Sequence, residues 1–460
     1  MIVRSVDAII RMLDADYIEQ GNLDALVKGV CIDSRKVVAG NLYVPIVGER
    51  VDGHHFVKQA IMAGAVATLW KKDVPNPPTE IPVIMVEDTI EALQKLAHAY
   101  RKQLSCRIIG ITGSNGKTST KDIAASILSQ RYVTYKTLGN QNNEIGVPLT
   151  LLALSEETEV AVVEMGIETM DEMDVLTDMV EPDIAIITNI GEAHMVNMGS
   201  KENIAIAKCK IVKGMTANGV LIYNGDQPVL EAAVKQIERD DLELVTFGIQ
   251  SNNMVSITSF ASTMNQVVFS INHEELQYEL DMIGAHNACN ATAAMLAAYA
   301  LGCDDAAVLA GMKHVEKSGL RNEVMQIDKM TVLNDSYKSN PESVDAALDT
   351  FDTIEAPYKI VVLGDMLDLG EDEIMIHYEL GKRIQNHAVD EVLTYGELGA
   401  FICQGASNTM EIPCLHFVTH EALITYLTPY LEKECAMVIK GSRAMHLDEV
   451  VEALKGRKTA

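Results

Sequence analysis

The segment GSNGKTST, Gly113 to Thr120, stands directly after the β-branched run RIIGIT and directly before a helical pattern. Strand, glycine loop and helix in that order confine a chain to α/β architectures in which a buried parallel strand feeds a phosphate-binding turn. The backbone N–H groups of Gly113, Ser114, Asn115, Gly116 and the following Lys117, Thr118 and Ser119 can wrap phosphates, and the helix N-terminus adds its partial positive charge. Lys117 offers an ammonium and Thr118 a hydroxyl for magnesium. Ile111 stands where the first glycine of G-x-x-x-x-G-K-[ST] would be, which leaves the shorter form G-x-x-G-K-T. The segment points to nucleotide binding.

A chain of 460 residues at about 150 per domain divides into roughly three. Residues 1–100 mix the short runs KGVCID, NLYVPIV, ATLW and PVIMVE with helical patterns, and predict a small α/β domain. From 101 to 315, strand-like runs (RIIGIT, VTYKT, VAVVEMG, DIAIITNIG) alternate with helical patterns, which predicts a parallel sheet with helices on both faces. LVTFGI, MVSITSF, QVVFSI and LQYELDM then follow closely spaced, as an added antiparallel section, before an alanine-rich helix from Asn287 to Leu301. Residues 316–460 repeat the alternation with MTVLNDS, YKIVVLGD, DEVLTYGE and AMVIKGS, a second doubly wound region. The fold class is therefore α/β in three parts.

Thirty-seven Lys and Arg against 65 Asp and Glu leave a net charge of −28, which repels nucleic acid and anionic membranes. A phosphorylated ligand must be held by local donors. The eight cysteines are scattered without a C-x-x-C pair, as suits reduced thiols in the cytoplasm. MIVRSVDAIIRMLDADYIEQ carries charge every few residues and lacks a signal-peptide pattern. The most apolar stretches stop short of a membrane span.

In open parallel sheets ligands bind beyond the carboxyl ends of the strands. Glu164 ends the run VAVVE, and His194 follows IAIITNI closely, so both are expected on the edge that carries the phosphate loop. A carboxylate and an imidazole beside a triphosphate suit magnesium, with imidazole an uncommon ligand for so hard a cation. Lys208 projects from an apolar stripe, with Ile204, Ala205, Ile211 and Val212 one turn away. Burial there lowers its pKa and yields a neutral amine able to take up carbon dioxide as a metal-bridging carbamate. A snorkelling lysine fits the same stripe, and physical chemistry alone favours it. The loop KTLGNQNNEIGVP brings Asn140, Asn142 and Asn143 after another strand, as neutral donors to an anion or as turn formers. Asn287 and Asn290 open the alanine-rich helix, to cap it or to contact a base.

These residues, together with DSR at Asp33 to Arg35, NIGEAHMVNMGS, GAHNACNA, LRNE around Arg321, NDSYKSNP, LGDMLDLGE and KGSRAMHLDEV, resemble the Mur ligases of bacterial cell-wall synthesis over nearly the whole chain. The resemblance implies a UDP-sugar-peptide domain, a central ATPase and a carboxy-terminal Rossmann-like domain that closes over the site. It implies ATP and Mg2+, with Lys117, His194 and Lys208 catalytic and Thr118, Glu164, His194 and a carbamylated Lys208 around the metal. Asn287 and Asn290 become adenine contacts, Arg321 and Asp335 nucleotide contacts from the last domain, and Ser34 and Arg35 contacts to the uridine nucleotide. Lys338 stands where the family commonly has asparagine, and Cys209-Lys210 where a small residue and glutamate are usual.

The resemblance implies an acyl-phosphate ligase that joins D-alanyl-D-alanine to UDP-MurNAc-tripeptide, acting as a monomer in the cytoplasm; LGDMLDLGE is typical of dipeptide-adding members. Another ligase of the same architecture, including folylpolyglutamate synthetase, is the alternative, and a nucleotide-gated binding protein is the alternative of a different class.

Overall fold

The computed structural model describes residues 1–457 apart from 19, 49, 264 and 318–322. Its centre is a nine-stranded sheet, and RIIGIT forms the strand Arg107–Thr112 within it. That strand runs parallel to Val160–Glu164 on one side and to Ile184–Ile187 on the other. Period-two alternation explains why all three runs are apolar throughout. Ile108, Ala161, Val163, Ala185 and Ile187 face one core, while Ile109, Ile111, Val162, Ile184 and Ile186 face another. A sheet covered on both faces needs apolar residues at every position.

The first of those cores is continuous with the amino-terminal unit, whose Val6, Leu42, Leu69, Leu93 and Tyr100 belong to it. That unit holds a five-stranded sheet in which Val30–Cys31, Leu42–Tyr43, Ala67–Lys71 and Val83–Val86 are parallel and Asp16–Ile18 is an antiparallel edge. Asp88 caps the helix Thr89–Arg101 that joins it to the central sheet, accepting from the N–H groups of Ile90 and Glu91. The second core holds the phosphate-loop helix Lys117–Leu128 against the alanine-rich helix His286–Ala300. Alanines on the latter allow the two axes to approach closely.

One expectation needs correction. LVTFGI forms Glu243–Gly248, which pairs parallel to Val220–Asn224, so it extends the parallel sheet. Antiparallel pairing begins only at Val255–Ser262 with Val267–Ile271 and Gln277–Leu280. Strand composition carries no signal for direction, which the connection decides: the helix Pro228–Val234 makes the crossover that returns the chain parallel. Val220–Asn224 is not among the expected strands, because Asn-Gly on each side of VLIYN signals turns.

The carboxy-terminal unit is a six-stranded sheet of order Glu323–Ile327, Met330–Asp335, Cys435–Lys440, Lys359–Gly364, Glu391–Tyr395 and Cys414–Phe417. All neighbours are parallel except the first pair. Asp335 and Lys440 end adjacent strands. The loop after Asp335 leads into the helix Pro341–Asp352, whose N-terminus meets the central sheet.

Candidate active site

Three neighbouring strands of the central sheet end at one place. From Arg107–Thr112 the chain enters the phosphate loop through Gly113, whose φ of +144° favours glycine; a Cβ there would lie 1.9 Å from Thr188 Oγ1. Gly116 has φ +80°, and a Cβ would meet Asn290 Oδ1 at 2.4 Å. The loop is also clamped from the strand Ile184–Ile187 side. Ser114 N donates to Asn189 O at 2.9 Å, Asn115 N donates to Asn189 Oδ1 at 2.8 Å, and Gly191 N donates to Ser114 Oγ at 2.8 Å. Lys117 Nζ donates to the carbonyls of Gly113 at 2.6 Å and Ser114 at 3.1 Å, so its ammonium lies over the loop. Ser119 follows in the first turn of the helix.

Glu164 is 1% exposed and is held from two sides: Thr118 Oγ1 donates to Oε2 at 2.9 Å and Asn142 Nδ2 donates to Oε1 at 2.8 Å. Lys121 Nζ, fully buried, lies 3.5 Å from Oε2. A buried carboxylate so surrounded stays fixed. His194 caps a short helix in the left-handed conformation, φ +64°, and its Nε2 lies 3.0 Å from Lys338 Nζ. Burial, then the charges of Lys338, Lys117 and Lys208, push its pKa down to about 3, so the imidazole is neutral. Lys208 is 2% exposed, on the helix Lys201–Cys209. Burial, followed by Lys117 and Lys338, holds its pKa well below that of an ordinary lysine. The snorkelling reading requires the ammonium to reach water, and this one does not.

Among the described residues no three His, Cys, Asp or Glu side chains form a ready metal cage. The Thr118 hydroxyl, the Glu164 carboxylate and the His194 imidazole nevertheless fit magnesium, which binds through few protein groups plus phosphate and water.

The asparagines divide. Asn142 reaches Glu164, whereas Asn143 Oδ1 accepts from Gly146 N at 2.9 Å and so fixes the turn into the helix Gly146–Ala153. Asn140 is exposed, and its carbonyl accepts from Asn142 N at 2.8 Å. Asn290 packs behind Gly116 and donates to Asn287 Oδ1 at 2.9 Å, while Asn287 Nδ2 donates to Ile283 O at 2.7 Å. An adenine contact would have to exchange or share these bonds. In the amino-terminal unit Ser34 Oγ donates to Gln59 Oε1 at 3.0 Å, and the exposed Arg35 makes a two-pronged pair with Asp33. Asp335 pairs with the buried Lys440. Arg321 lies outside the described residues.

Residues of the carboxy-terminal unit not singled out as site residues tie it to the loop. Asn340 and Asn115 exchange two side-chain hydrogen bonds, of 2.9 and 3.3 Å. Glu342 Oε1 lies 3.2 Å from Lys201 Nζ, and Lys338 meets His194. The dipeptide Asn340-Pro341 is a helix start, N-cap then proline at N1, a short loop after the strand end at Asp335. That signal was available in the sequence, but what the helix start faces was not.

Three family models match the chain: the Mur ligase family catalytic domain over residues 26–101, the Mur ligase middle domain over 111–298, and the Mur ligase glutamate ligase domain over 320–443. A UDP-N-acetylmuramoyl-tripeptide–D-alanyl-D-alanine ligase of Bacillus subtilis is 40% identical over 457 residues, 99% of each chain. The Escherichia coli ligase of the same description is 32% identical over 95% of each. A crystal structure of MurF from Acinetobacter baumannii superposes with a TM-score of 0.89 at 27% identity, covering 99% of this chain and 100% of that one. MurF ligase from Thermotoga maritima in complex with ADP has the same fold, with a TM-score of 0.81 at 24% identity, over 94% of this chain and 97% of that one. A phosphate loop flanked by Glu164 and His194, and likeness along essentially the whole length, lead to one conclusion: the chain belongs to the Mur ligase family.

Proposed function

We propose that this protein joins D-alanyl-D-alanine to the terminal carboxylate of UDP-MurNAc-tripeptide at the expense of ATP, in the cytoplasm and as a monomer. The observation that carries the reading is the phosphate loop itself, with Thr118 bonded to the buried Glu164 and with His194 and the buried Lys208 within electrostatic range of Lys117. It is supported by full-length likeness to ligases described by that reaction. Among the described residues no helix is long and apolar enough to cross a membrane.

A carboxylate does not condense with an amine in water, because hydroxide leaves poorly. Transfer of the γ-phosphoryl group to the peptide carboxylate gives an acyl phosphate, from which phosphate departs when the dipeptide amine attacks. Lys117 would turn from the loop carbonyls to the β- and γ-phosphate oxygens, and the loop N–H groups would hold them in line. Thr118, Glu164, His194 and a carbamate on Lys208 would hold magnesium, which when bound neutralises charge on the phosphoryl oxygens. Lys208 suits that modification because a dry, neutral amine is the form that attacks carbon dioxide. Asp335 and Arg321 would contact the nucleotide from the carboxy-terminal unit, Asn287 and Asn290 the adenine, and Ser34 and Arg35 the uridine nucleotide. Asn142 orients Glu164, and Asn140 and Asn143 shape the loop that carries it towards substrate. The boundary near residue 315 would serve as the hinge for a closure that keeps water from the acyl phosphate, whereas near residue 100 the helix Thr89–Arg101 and the core it shares tie the amino-terminal unit to the central sheet.

The test is intact-mass analysis after incubation with ATP, UDP-MurNAc-tripeptide and D-alanyl-D-alanine. The expected product gains the dipeptide less one water, with phosphate released only when both acceptors are present. Turnover with L-glutamate in place of the dipeptide would replace this reading with the folylpolyglutamate type.

A further inference from the structure

Lys338 reaches the site from the carboxy-terminal unit, and its position is tightly specified. Its carbonyl accepts from Lys440 Nζ at 2.8 Å, Lys440 is itself paired with Asp335, and two residues later Asn340 is bonded to Asn115 of the phosphate loop. The ammonium so delivered lies 3.0 Å from His194 Nε2. A neutral imidazole nitrogen has one lone pair in the ring plane, and it can serve an N–H donor or a metal ion but not both.

We propose that Lys338 is a resident cation at His194 Nε2 that a divalent metal must displace, so that the metal and the Lys338 ammonium compete for one lone pair. The proposal rests on reading His194 as a metal neighbour. Two physical effects act in the same direction. The Lys338 hydrogen bond must break before the imidazole can bind metal, and an ammonium at that distance repels an incoming dication. Lys117 adds to the positive surroundings of His194, with Glu164 the carboxylate at the strand end beside the loop. When the metal is seated, the displaced ammonium stays tethered to the loop that closes over the phosphates. It is then a mobile positive charge next to the reacting oxygens, delivered by the same unit.

The measurement is Mn2+ binding by the full chain with ADP in excess, read by water-proton relaxation, which needs no turnover. Lys338→Met is expected to bind Mn2+ about tenfold more tightly than the parent, the scale of one charge-assisted hydrogen bond removed from the competition. Lys338→Arg, which keeps the charge, should remain near the parent. His194→Ala should weaken Mn2+ binding, and adding it to Lys338→Met should erase the gain. Lys338→Gln provides a second uncharged variant should the Met variant fold poorly. If His194→Ala weakens the metal while neither Lys338→Met nor Lys338→Gln tightens it, the exchange is wrong and the metal reading of His194 stands. If His194→Ala has no effect on Mn2+ binding, both fail together.

Discussion

Lys208 shows what a sequence can and cannot say about one residue. Its apolar neighbours at helical spacing forecast burial, and the structure leaves it 2% exposed. The choice between snorkelling and a dry amine depended on how far the stem could reach, a tertiary quantity absent from the local pattern. Replacement of Lys208 by alanine is expected to lower ligation by about a hundredfold or more. Added short-chain carboxylates should partly restore it by supplying the missing anion; full activity in the variant would remove the carbamate from the scheme. Gly116 was legible as a loop glycine, but the reason it must be glycine was not. The carboxamide of Asn290, far along the chain, occupies the space a Cβ needs. Gly116→Ala combines that collision with a left-handed φ, at a cost of about 1–3 kcal/mol. ADP affinity measured by calorimetry should fall at least tenfold, and an unchanged affinity would show that the loop yields without cost.

Elements were read well where a run was long, apolar and closed by a polar turn. Arg107–Thr112, Val160–Glu164 and Lys359–Gly364 fall within the runs RIIGIT, VAVVEMG and YKIVVLGD. Val220–Asn224, as long as Val160–Glu164, is hidden by the Asn-Gly pairs on both sides, which read as turns, and Cys414–Phe417 is a four-residue, half-exposed edge. Burial of a polar side chain inside an element is less visible still. His377, fully buried on the helix Glu373–Arg383, accepts the Met366 N–H at Nε2, 2.9 Å, and donates from Nδ1 to Glu373 O, 2.7 Å. It thereby fixes the turn that follows Lys359–Gly364. Burial lowers its pKa, against the opposing influence of its bond to Glu373 O and of nearby Asp365 and Glu373. A base that stays neutral in the fold takes up a proton in the unfolded chain near pH 6.5. The unfolded state therefore gains as pH falls below that value, and stability drops by up to about 1.4 kcal/mol per pH unit until the folded pKa is reached. Above pH 6.5 the contribution is complete. Melting of the parent and of His377→Gln between pH 7.5 and 5 checks this: the variant should lose stability less steeply towards acid. Parallel slopes would locate the acid sensitivity in other groups.

At the scale of the whole molecule, a chain of net charge −28 brings the ammonium groups of Lys117, Lys121 and Lys338 to the phosphate loop and its surroundings, against the buried carboxylates of Glu164 and Asp122. Such a local reversal of sign is what a triphosphate requires, and it was legible only in outline. The phosphate loop announced an anion, but Lys338 comes from a unit whose docking no local pattern encodes. That docking rests largely on polar contacts, Asn340 with Asn115, Glu342 with Lys201, and Lys338 with His194, beside Ile283 of the central unit, which is buried in the carboxy-terminal core. Interfaces of this kind are separable, because each group finds water when the units part. Asn340 has two duties, since it also caps the helix Pro341–Asp352 by accepting from Ser343 N at 2.9 Å. Serine at that position keeps the cap but is too short to reach Asn115. In Asn340→Ser the carboxy-terminal unit should therefore remain folded, with stability within about 1 kcal/mol of the parent, while the population of docked molecules falls. Small-angle scattering without nucleotide should give a larger radius of gyration than the parent, and saturating ATP should bring the two together, because phosphate contacts then supply the closing force. The KM for ATP should rise more than kcat falls. Identical scattering of the two proteins without nucleotide would mean that the amide pair does not hold the units together, and that the Glu342–Lys201 pair and the burial of Ile283 suffice.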